Sequence, residues 1–384
     1  MISVDLERRF SSIAQMEAAA QRRIPRFAWD YMSGGIGREV VLAENCARLD
    51  RVKLRPRYLV DNAESPDLSH SLLGTSYPVP FGVAPIGLSG LIWPKAAEHL
   101  ARAAKDKGIS FALSNMATSS IEQIGAIGGN IWYQHYAFAD DAINADLLKR
   151  AHDNGFDTLV VTVDIPTATR RDRNIRNGLS VPPQFNLRTL MDIVQRPGWA
   201  LSMLRHGVPE FASVKPYLPA NLNLAQLGTH LSEMIEGHVS RDKLRWYRAQ
   251  WPGKLIIKGI LDANEAAACV DIGVDAIVVS NHGGRQLDAA QTSIDALPAI
   301  RQIVGPDYPL LADGGIRNGL DIARYLALGA DYVLLGRAFM FALGAIGANG
   351  GAHAMTILQA ELAATLGQLG CPSIHQLPEF LIKE

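Results

Sequence analysis

A histidine and an arginine, His282 and Arg285, lie in residues 280–286, whose sequence is SNHGGRQ and which follow the apolar run 276–279. Histidine is the side chain best suited to move a proton near neutral pH. Arginine is shaped to hold a carboxylate through two parallel hydrogen bonds. In α/β enzymes, the glycine-containing turns that follow strands commonly carry the chemistry. The segment therefore predicts an enzyme that takes a proton from a small organic acid.

Each of these residues also has a structural explanation. A buried histidine can simply satisfy backbone groups in a core, and Arg171 and Arg285 can each form solvated ion pairs. The glycines and the asparagine around His282, at the end of a predicted strand, favour the catalytic interpretation. Two arginines at one predicted mouth, with tyrosines available, favour an anion clamp.

The composition limits the classes of protein. Of the 384 residues, 48% are hydrophobic and 20% are charged, which predicts a sizeable core and little disorder. The formal net charge of −1 gives no overall attraction to nucleic acid or to an anionic membrane. Cys46, Cys269 and Cys371 are too few and too scattered for a disulfide framework or a zinc site, so we expect no metal. The amino terminus lacks the apolar stretch of a signal peptide, which predicts a cytoplasmic protein.

Short apolar runs alternate with amphipathic segments along most of the chain. This pattern predicts parallel strands separated by helices, and eight such units predict an α/β fold, a closed (β/α)8 TIM barrel in a single domain, residues 1–384. Glycines at 108, 155, 273 and 329 follow predicted helices, where a left-handed cap is expected. The predicted strands are 81–84, 109–113, 131–133, 158–163, 254–257, 276–279, 309–312 and 332–335, and the predicted helices are 96–107, 120–127, 141–154, 263–272, 293–303 and 319–328.

Three stretches depart from this repeat. Residues 1–75 form an N-terminal helical extension, and residues 178–252 form a long insertion after the fourth predicted strand. An insertion of that length at the carboxyl end of a strand is typically a lid or another functional element. The uncharged run 338–360 contains too much glycine and polarity for a membrane span, and it predicts a glycine-rich loop that leads into a helix.

The fifth, seventh and eighth predicted strands end in charged or glycine-rich segments. Residues 313–317 read DGGIR, and Gly336 and Arg337 follow about twenty residues later. The loops after the seventh and eighth strands of barrels commonly bind phosphate through backbone N–H groups and a helix amino terminus. Lys258, at the end of the fifth strand, has several open interpretations: a surface lysine, a structural ion pair, a charge beside an electron-accepting ring, or a Schiff-base lysine.

Several separate motifs, in order along nearly the whole chain, resemble the FMN-dependent α-hydroxy acid dehydrogenases and oxidases, a family that includes lactate and mandelate dehydrogenases and glycolate oxidase. Residues 280–286 are similar to the active-site signature of that family. The resemblance implies oxidation of an L-2-hydroxy acid to a 2-oxo acid, with electrons passing from FMN to a quinone, another carrier or oxygen. The other matching segments are 30–35 (DYMSGG), 162–164 (TVD) with Arg170 and Arg171, 257–259 (IKG), 313–317 (DGGIR) and 335–337 (LGR).

The resemblance implies where FMN binds. The cofactor would lie across the barrel mouth, with Lys258 beside the ring edge at which negative charge grows on reduction. The other residues implied to bind it are Pro85, Ile86, Gly87, Ser114, Gln134, Thr162, Ser280, Asp313, Gly315, Arg317, Gly336 and Arg337.

The resemblance also implies the substrate site and the catalytic group. His282 would be the base, oriented by Asp164, with Tyr136 and Lys258 completing the group. The base could take the Cα proton, in a carbanion mechanism, or the hydroxyl proton, with hydride transfer, and both alternatives stay open. A carboxylate behind the histidine stabilises the imidazolium in either case. The residues implied to bind the substrate are Tyr31, Met116, Tyr136, Arg171, His282 and Arg285.

Three positions bear on the substrate's side chain. Met116 stands where several relatives have a large aromatic residue, and His135 replaces a usual apolar residue between Gln134 and Tyr136. Both are expected to reshape the pocket for the side chain. Gly87 is shared with mandelate dehydrogenase, which favours a dehydrogenase with a bulky substrate.

The first half of the insertion, residues 185–215, is apolar with interspersed arginines. An amphipathic segment of this kind can dock on the inner face of the cytoplasmic membrane, as in relatives with membrane electron acceptors. A lid or a subunit contact is the alternative. Relatives are often tetramers, so we expect a homo-oligomer by analogy.

Two other functions are compatible with parts of the sequence. Another FMN barrel, such as an isoprenoid diphosphate isomerase or a nucleotide dehydrogenase, would share the phosphate half but lack the histidine–arginine pair. A non-catalytic barrel that binds a metabolite would be expected to have lost His282, Arg285 or Lys258, and all three are present.

Overall fold

Four helices and a hairpin precede the first strand of the barrel. The computed structural model describes residues 4–59, 65–179, 187–207, 209–219, 230 and 233–382. Ser12 caps α2 by accepting a hydrogen bond from the backbone N–H of Gln15, while Gly34 ends α3. The elements are α1 (Val4–Arg9), α2 (Ile13–Arg23), α3 (Arg26–Ser33), α4 (Val40–Arg51), β1 (His70–Leu72) and β2 (Thr75–Tyr77), the last two antiparallel.

Eight parallel strands close into a barrel in chain order, because the last strand pairs with the first. Nearly every strand residue is buried, as expected for a parallel sheet that is covered on both faces. The predicted (β/α)8 barrel, with its extension and its insertion after the fourth strand, is therefore confirmed. The strands are β3 (Phe81–Val83), β4 (Phe111–Ser114), β5 (Ile131–Tyr136), β6 (Thr158–Thr162), β7 (Lys254–Ile260), β8 (Ala276–Val279), β9 (Leu310–Asp313) and β10 (Tyr332–Leu335).

Helices follow the strands and cover the barrel. The glycines at 108, 155, 273 and 329 all have positive φ, as the predicted helix caps require. The helices are α5 (Ala96–Lys107), α6 (Ile121–Gly125), α7 (Asp141–Asp153), α8 (Asp172–Arg176), α9 (Leu187–Val194), α10 (Pro197–His206), α11 (Arg241–Gln250), α12 (Ala263–Ile272), α13 (Ser293–Val304), α14 (Gly319–Ala327), α15 (Arg337–Ile346) and α16 (Gly350–Leu369).

The prediction of a glycine-rich loop at the start of 338–360 is wrong, because α15 and α16 occupy this run with only residues 347–349 between them. Gly344 lies inside α15 where the helix crosses α2, and a Cβ built there would lie 2.9 Å from the Cβ of Ala20. The glycine therefore allows two helices to approach closely instead of breaking one. Within the described residues, no helix has the length and apolar character needed to cross a membrane.

The hairpin β1–β2 closes the lower end of the barrel, opposite the carboxyl ends of the strands. Leu72 and Tyr77 pack into the same buried cluster as Trp132 and Tyr332, which fill the barrel interior. The rings of Tyr77 and Tyr332 lie 5.3 Å apart. Side chains thus fill the barrel from below, and the space for a ligand lies at the other end.

Several contacts fix the described part of the insertion to the barrel, and two of them lie near the carboxyl ends of the strands. Trp199 of α10 is buried and donates a hydrogen bond to the carbonyl of Leu91 (3.1 Å). Near the end of the insertion, residues 234–236 pair in antiparallel fashion with residues 137–139, which follow β5. The insertion therefore returns to the barrel at the carboxyl ends of the strands.

Candidate functional site

A cavity that is open to solvent lies at the carboxyl ends of the strands. Its walls include Tyr31, Pro85, Ile86, Gly87, Met116, Tyr136, Thr162, Arg171, Lys258, His282, Arg285, Asp313, Gly315, Arg317, Gly336 and Arg337.

His282 is held from behind by a carboxylate. Its Nδ1 lies 2.8 Å from Asp164 Oδ1, and its Nε2 lies 3.5 Å from Tyr136 Oη. Burial alone would raise the pKa of Asp164, but His282 and then Lys258 outweigh it and lower the pKa below its usual value. Asp164 is thus a carboxylate at neutral pH, which places the proton of the imidazole on Nδ1 and leaves Nε2 as an acceptor toward the cavity.

The backbone of His282 is in the left-handed region, with φ of 57°, which is uncommon for a residue other than glycine. The next two residues, Gly283 and Gly284, also have positive φ. At Gly284 a Cβ would lie 2.8 Å from Cα of Leu42 in α4, so the turn after β8 can approach that helix only with glycine. This tight turn aims the imidazole into the mouth.

Arg171 and Arg285 form a cationic wall beside His282. Arg285 donates to the carbonyls of Tyr31 and Gly34, both at 2.8 Å, and its guanidinium lies 5.3 Å from the Tyr31 ring centroid. Burial, and then the charge of Arg171, lower the pKa of Arg285 to about 10, so it stays charged at neutral pH. Arg171 Nε is buried and has no hydrogen-bond partner among the residues that the structure describes. Such a pair fits an incoming carboxylate.

Lys258 lies in a buried chain of polar contacts. Its Nζ lies 2.6 Å from Ser280 Oγ and 2.7 Å from Asp313 Oδ2. Ser280 Oγ also accepts a hydrogen bond from the backbone N–H of His282 (3.0 Å). The ion pair considered from the sequence is thus present, and it fixes the ammonium at the cavity wall.

A second group of cations lies where β9 and β10 end. Arg337 donates to the carbonyls of Met32, Gly283 and Gly34, and Arg317 donates to the carbonyl of Ile316. Burial, and then Arg285 and Arg317, lower the pKa of Arg337. In the described part of the chain, neither Arg317 nor Arg337 forms a salt bridge with a carboxylate through its side chain, so an anion such as phosphate would complete the charge balance.

Three of the implied cofactor residues lie behind the cavity wall. Gln134 Nε2 donates to Thr162 Oγ1 (3.0 Å), while Gln134 Oε1 is buried without a partner. Ser114 is buried and accepts a hydrogen bond from the backbone N–H of Met116. Ser280, described above, is also fully buried. The unpaired oxygen of Gln134 is an acceptor that a planar ligand with N–H groups can satisfy.

Sequence reasoning missed two residues at the substrate end. Gln286 accepts a hydrogen bond from Arg171 Nη2 (3.3 Å) and donates to the carbonyl of Asp164 (3.2 Å), so it links the two sides of the site. Its position in the SNHGGRQ segment was a signal that could have found it. Ile235 lines the cavity from the insertion. No pattern in the sequence marked Ile235, because its place depends on a backbone pairing.

His135 lies elsewhere than expected. Its side chain is fully buried among Tyr133, Phe138 and Tyr247, and it is not part of the cavity wall. Successive residues of a strand point to opposite faces, so Gln134 and Tyr136 face the barrel interior and mouth while His135 faces the helices. His135 is therefore not part of the cavity wall, and its expected effect on the pocket would have to pass through its neighbours.

The fold and this site define a barrel oxidoreductase that binds a phosphate-bearing redox cofactor. A family model for FMN-dependent dehydrogenases matches residues 20–384. L-lactate dehydrogenase of Caulobacter sp. (strain K31) is 38% identical over 374 residues, which are 97% of this chain and 98% of that protein. (S)-Mandelate dehydrogenase of Pseudomonas putida is 35% identical, over 95% of this chain and 92% of that protein. The chain belongs to the FMN-dependent α-hydroxy acid dehydrogenase family.

Solved structures agree with this assignment. A crystal structure of the monotopic membrane protein (S)-mandelate dehydrogenase superposes with a TM-score of 0.92 at 34% identity, covering 98% of this chain and 100% of that chain. A mandelate oxidase structure superposes with a TM-score of 0.83 at 32% identity, covering 98% of each chain. FMN is thus the cofactor of this family, and the residues present fit it: unpaired oxygens of Gln134 and Asp313 lie near the cavity, and cations stand at its phosphate end.

Proposed function

We propose that this chain oxidises an L-2-hydroxy acid to the 2-oxo acid, with His282 as the base. The observation that carries the proposal is the 2.8 Å contact between His282 Nδ1 and Asp164 in the same mouth as Arg171 and Arg285. The pair of arginines would hold the substrate carboxylate, which brings the substrate hydroxyl and Cα toward His282 Nε2. Tyr136 Oη, next to Nε2, would bind the hydroxyl.

Each residue of the site would have its own role in the reaction. His282 takes a proton from the substrate, and the Asp164 carboxylate stabilises the resulting imidazolium. FMN, when bound, would accept the two electrons and the second proton that the acid loses. Lys258, fixed by Ser280 and Asp313, keeps a positive charge at the cavity wall, where it would favour negative charge developing nearby.

The substrate's side chain is proposed to be apolar and bulky. Met116, Ile165 and Ile235 contribute apolar wall to the cavity, next to the small Gly87. Groups without hydrogen-bonding atoms favour an apolar substituent, because a polar one would lose its hydration without compensation. Of the relatives compared, this points toward the mandelate type more than the lactate type.

Flavin reduction tests this function directly. The purified protein should be yellow, and addition of (S)-mandelate or L-lactate without oxygen should bleach its visible absorbance. The D-enantiomers at equal concentration are the control, since the base lies on one side of the bound acid. A protein that holds FMN but is bleached by no L-2-hydroxy acid across a panel would contradict the proposal.

A quinone in the membrane is the proposed electron acceptor, and the insertion is the proposed docking surface. Leu201 and Leu204 of α10 are 66% and 81% exposed, on the helix that Trp199 anchors to the barrel. Arg188 of α9 and Arg205 of α10 are exposed and would meet anionic lipid headgroups. The exposed apolar side chains of α9 are Leu187, Leu190, Met191 and Val194. One relative, (S)-mandelate dehydrogenase, is a monotopic membrane protein; this supports a peripheral position on the inner face of the cytoplasmic membrane.

Vesicle sedimentation tests the docking surface. We expect the protein to sediment with vesicles of phosphatidylglycerol and phosphatidylethanolamine, and the double variant Leu201→Glu with Leu204→Glu to stay in the supernatant, because two charges would enter the interface. Ile303→Glu, at a side chain of α13 that is 52% exposed, is the matched control and should sediment normally. The surface is not a membrane site if the double variant sediments like the unmodified protein, or if neither sediments. A homotetramer stays a proposal by analogy, which light scattering can test.

A further inference from the structure

His135 is a buried histidine that the proposed chemistry does not use. Its Nε2 lies 2.9 Å from Oδ1 of Asn144, which is on α7, and its Nδ1 lies 3.5 Å from Nδ2 of Asn115, the residue that follows β4. Burial lowers the pKa of His135 to about 4, against the opposing effect of Asn144, so the ring is neutral at physiological pH. A neutral imidazole has one donor and one acceptor, and both have partners here.

The surrounding contacts determine which nitrogen carries the proton. Asn144 Oδ1 accepts from the backbone N–H of Phe138 (2.8 Å), so it must also accept from His135 Nε2. Nδ1 of His135 is then the acceptor, and Asn115 Nδ2 donates to it. The same Nδ2 donates to the carbonyl of Tyr136 (3.1 Å). His135 thus orients the amide that holds the backbone of Tyr136.

The other nitrogen of His135 reaches the insertion. Asn144 forms two hydrogen bonds with the backbone of Phe138: its Nδ2 donates to the Phe138 carbonyl (2.8 Å), and its Oδ1 accepts from the Phe138 N–H. Phe138 is the residue that pairs with Ile235. The pairing includes hydrogen bonds from Ala139 N to the carbonyl of Met234 (2.9 Å) and from Glu236 N to the carbonyl of Ala137 (2.8 Å). It places Ile235 in the cavity wall.

We propose that His135 is a positioning residue that couples the strand end carrying Tyr136 to the insertion segment carrying Ile235. Through Asn115 it fixes Tyr136, whose hydroxyl is next to His282 Nε2, and through Asn144 it fixes the apolar roof of the substrate pocket. This role rests on the proposed function, because Tyr136 and Ile235 matter only if a hydroxy acid binds beside them. Asn115 and Asn144 would take part as intermediaries.

Polar replacements of His135 separate the two contacts. In His135→Gln the amide Nε2 can take the place of the ring Nε2 and donate to Asn144, but the amide oxygen no longer lies where the ring Nδ1 accepted from Asn115. Flavin reduction by the hydroxy acid should therefore slow about 10- to 100-fold through misplacement of Tyr136. In His135→Asn the amide oxygen can take the place of the ring Nδ1 and accept from Asn115, so the maximal reduction rate should stay within about twofold of that of the unmodified protein. The contact with Asn144 is lost in this variant, so the hydroxy acid should bind more weakly because Ile235 is less firmly held. The dissociation constant for oxalate should change little in both, because Arg171 and Arg285 are untouched.

A double-mutant comparison distinguishes positioning from a general structural role. In a Tyr136→Phe background, His135→Gln should slow reduction by no more than about twofold, since the Tyr136 hydroxyl that His135 is proposed to position is already absent. His353→Leu is the control. His353 is also buried, and its Nε2 forms a hydrogen bond (2.7 Å) with the carbonyl of Phe10, a residue that is distant from it in the sequence. It should lower the melting temperature and leave reduction unchanged.

The outcomes separate the two hypotheses. Reduction of His135→Gln at the unmodified rate, or an equal slowing in both backgrounds, overturns the role of His135 alone. Slow reduction in His135→Asn and His135→Gln alike, with weaker oxalate binding, overturns it as well, because that pattern indicates general damage to the site. Absence of reduction in the unmodified protein overturns the proposed function and this role with it.

Discussion

Replacing His282 with alanine should leave FMN bound and slow its reduction by L-2-hydroxy acids by about 10²- to 10⁴-fold. The imidazole is the group whose Nε2 faces the cavity while Nδ1 is held by Asp164. The cationic groups assigned to the cofactor lie in β7 (Lys258) and in the segments that follow β9 (Arg317) and β10 (Arg337). Stopped-flow absorbance under anaerobic conditions measures the reduction rate, and the flavin-to-protein ratio measures cofactor retention.

The backbone of His282 needs a control of its own. Because φ is 57° there, alanine adds strain that is unrelated to proton transfer. Asparagine tolerates the left-handed region and can donate to Asp164, yet it has no basic nitrogen. His282→Asn should therefore be as slow as His282→Ala while unfolding at a higher temperature. Reduction of either variant at near-normal rate refutes the assignment of the base.

Replacing Arg171 with methionine should weaken binding of hydroxy acids by about 10²- to 10³-fold, with a smaller effect on the maximal reduction rate. Arg171 lines the cavity, and its buried Nε has no partner in the described residues. Removing it leaves the substrate carboxylate with Arg285 as its remaining cation. The dependence of the reduction rate on acid concentration separates binding from chemistry.

The neighbouring arginine supplies the matched control. Arg170 is exposed and does not line the cavity, so Arg170→Met removes the same charge and should leave binding unchanged. The carboxamide of the acid is a second control, since it lacks the charge that Arg171 would bind. The preference for acid over carboxamide should shrink in Arg171→Met. Equal losses in both arginine variants would show that overall charge, and not a specific contact, governs binding.

The barrel could be predicted because each strand is a short apolar run and glycine ends the helices before several of them. Apolar runs and helix-ending glycines need only local chain chemistry. The run 338–360 was misjudged because Gly344 has a packing role that depends on Ala20, more than three hundred residues away. Composition alone does not separate a glycine that breaks a helix from one that lets two helices touch.

The sequence predicted the main side chains of the candidate site better than it predicted the contacts that support them. His282, Asp164, Lys258 and Arg285 converge because parallel strands end at one rim, which a strand pattern already implies. The contacts of Gln286 and the place of Ile235 depend on side-chain direction and on a backbone pairing formed by distant segments. For His135, alternation along β5 was the usable signal, since its neighbours were both assigned to the mouth.

The hairpin that closes the lower end of the barrel has a kinetic consequence. Since Leu72, Tyr77 and the interior side chains fill that end, the proposed acid and electron acceptor would both have to reach the site through the mouth. Two reagents that share one passage hinder each other when both are abundant. We therefore expect parallel lines in double-reciprocal plots, and mutual inhibition by acid and acceptor at high concentration, as in a ping-pong reaction.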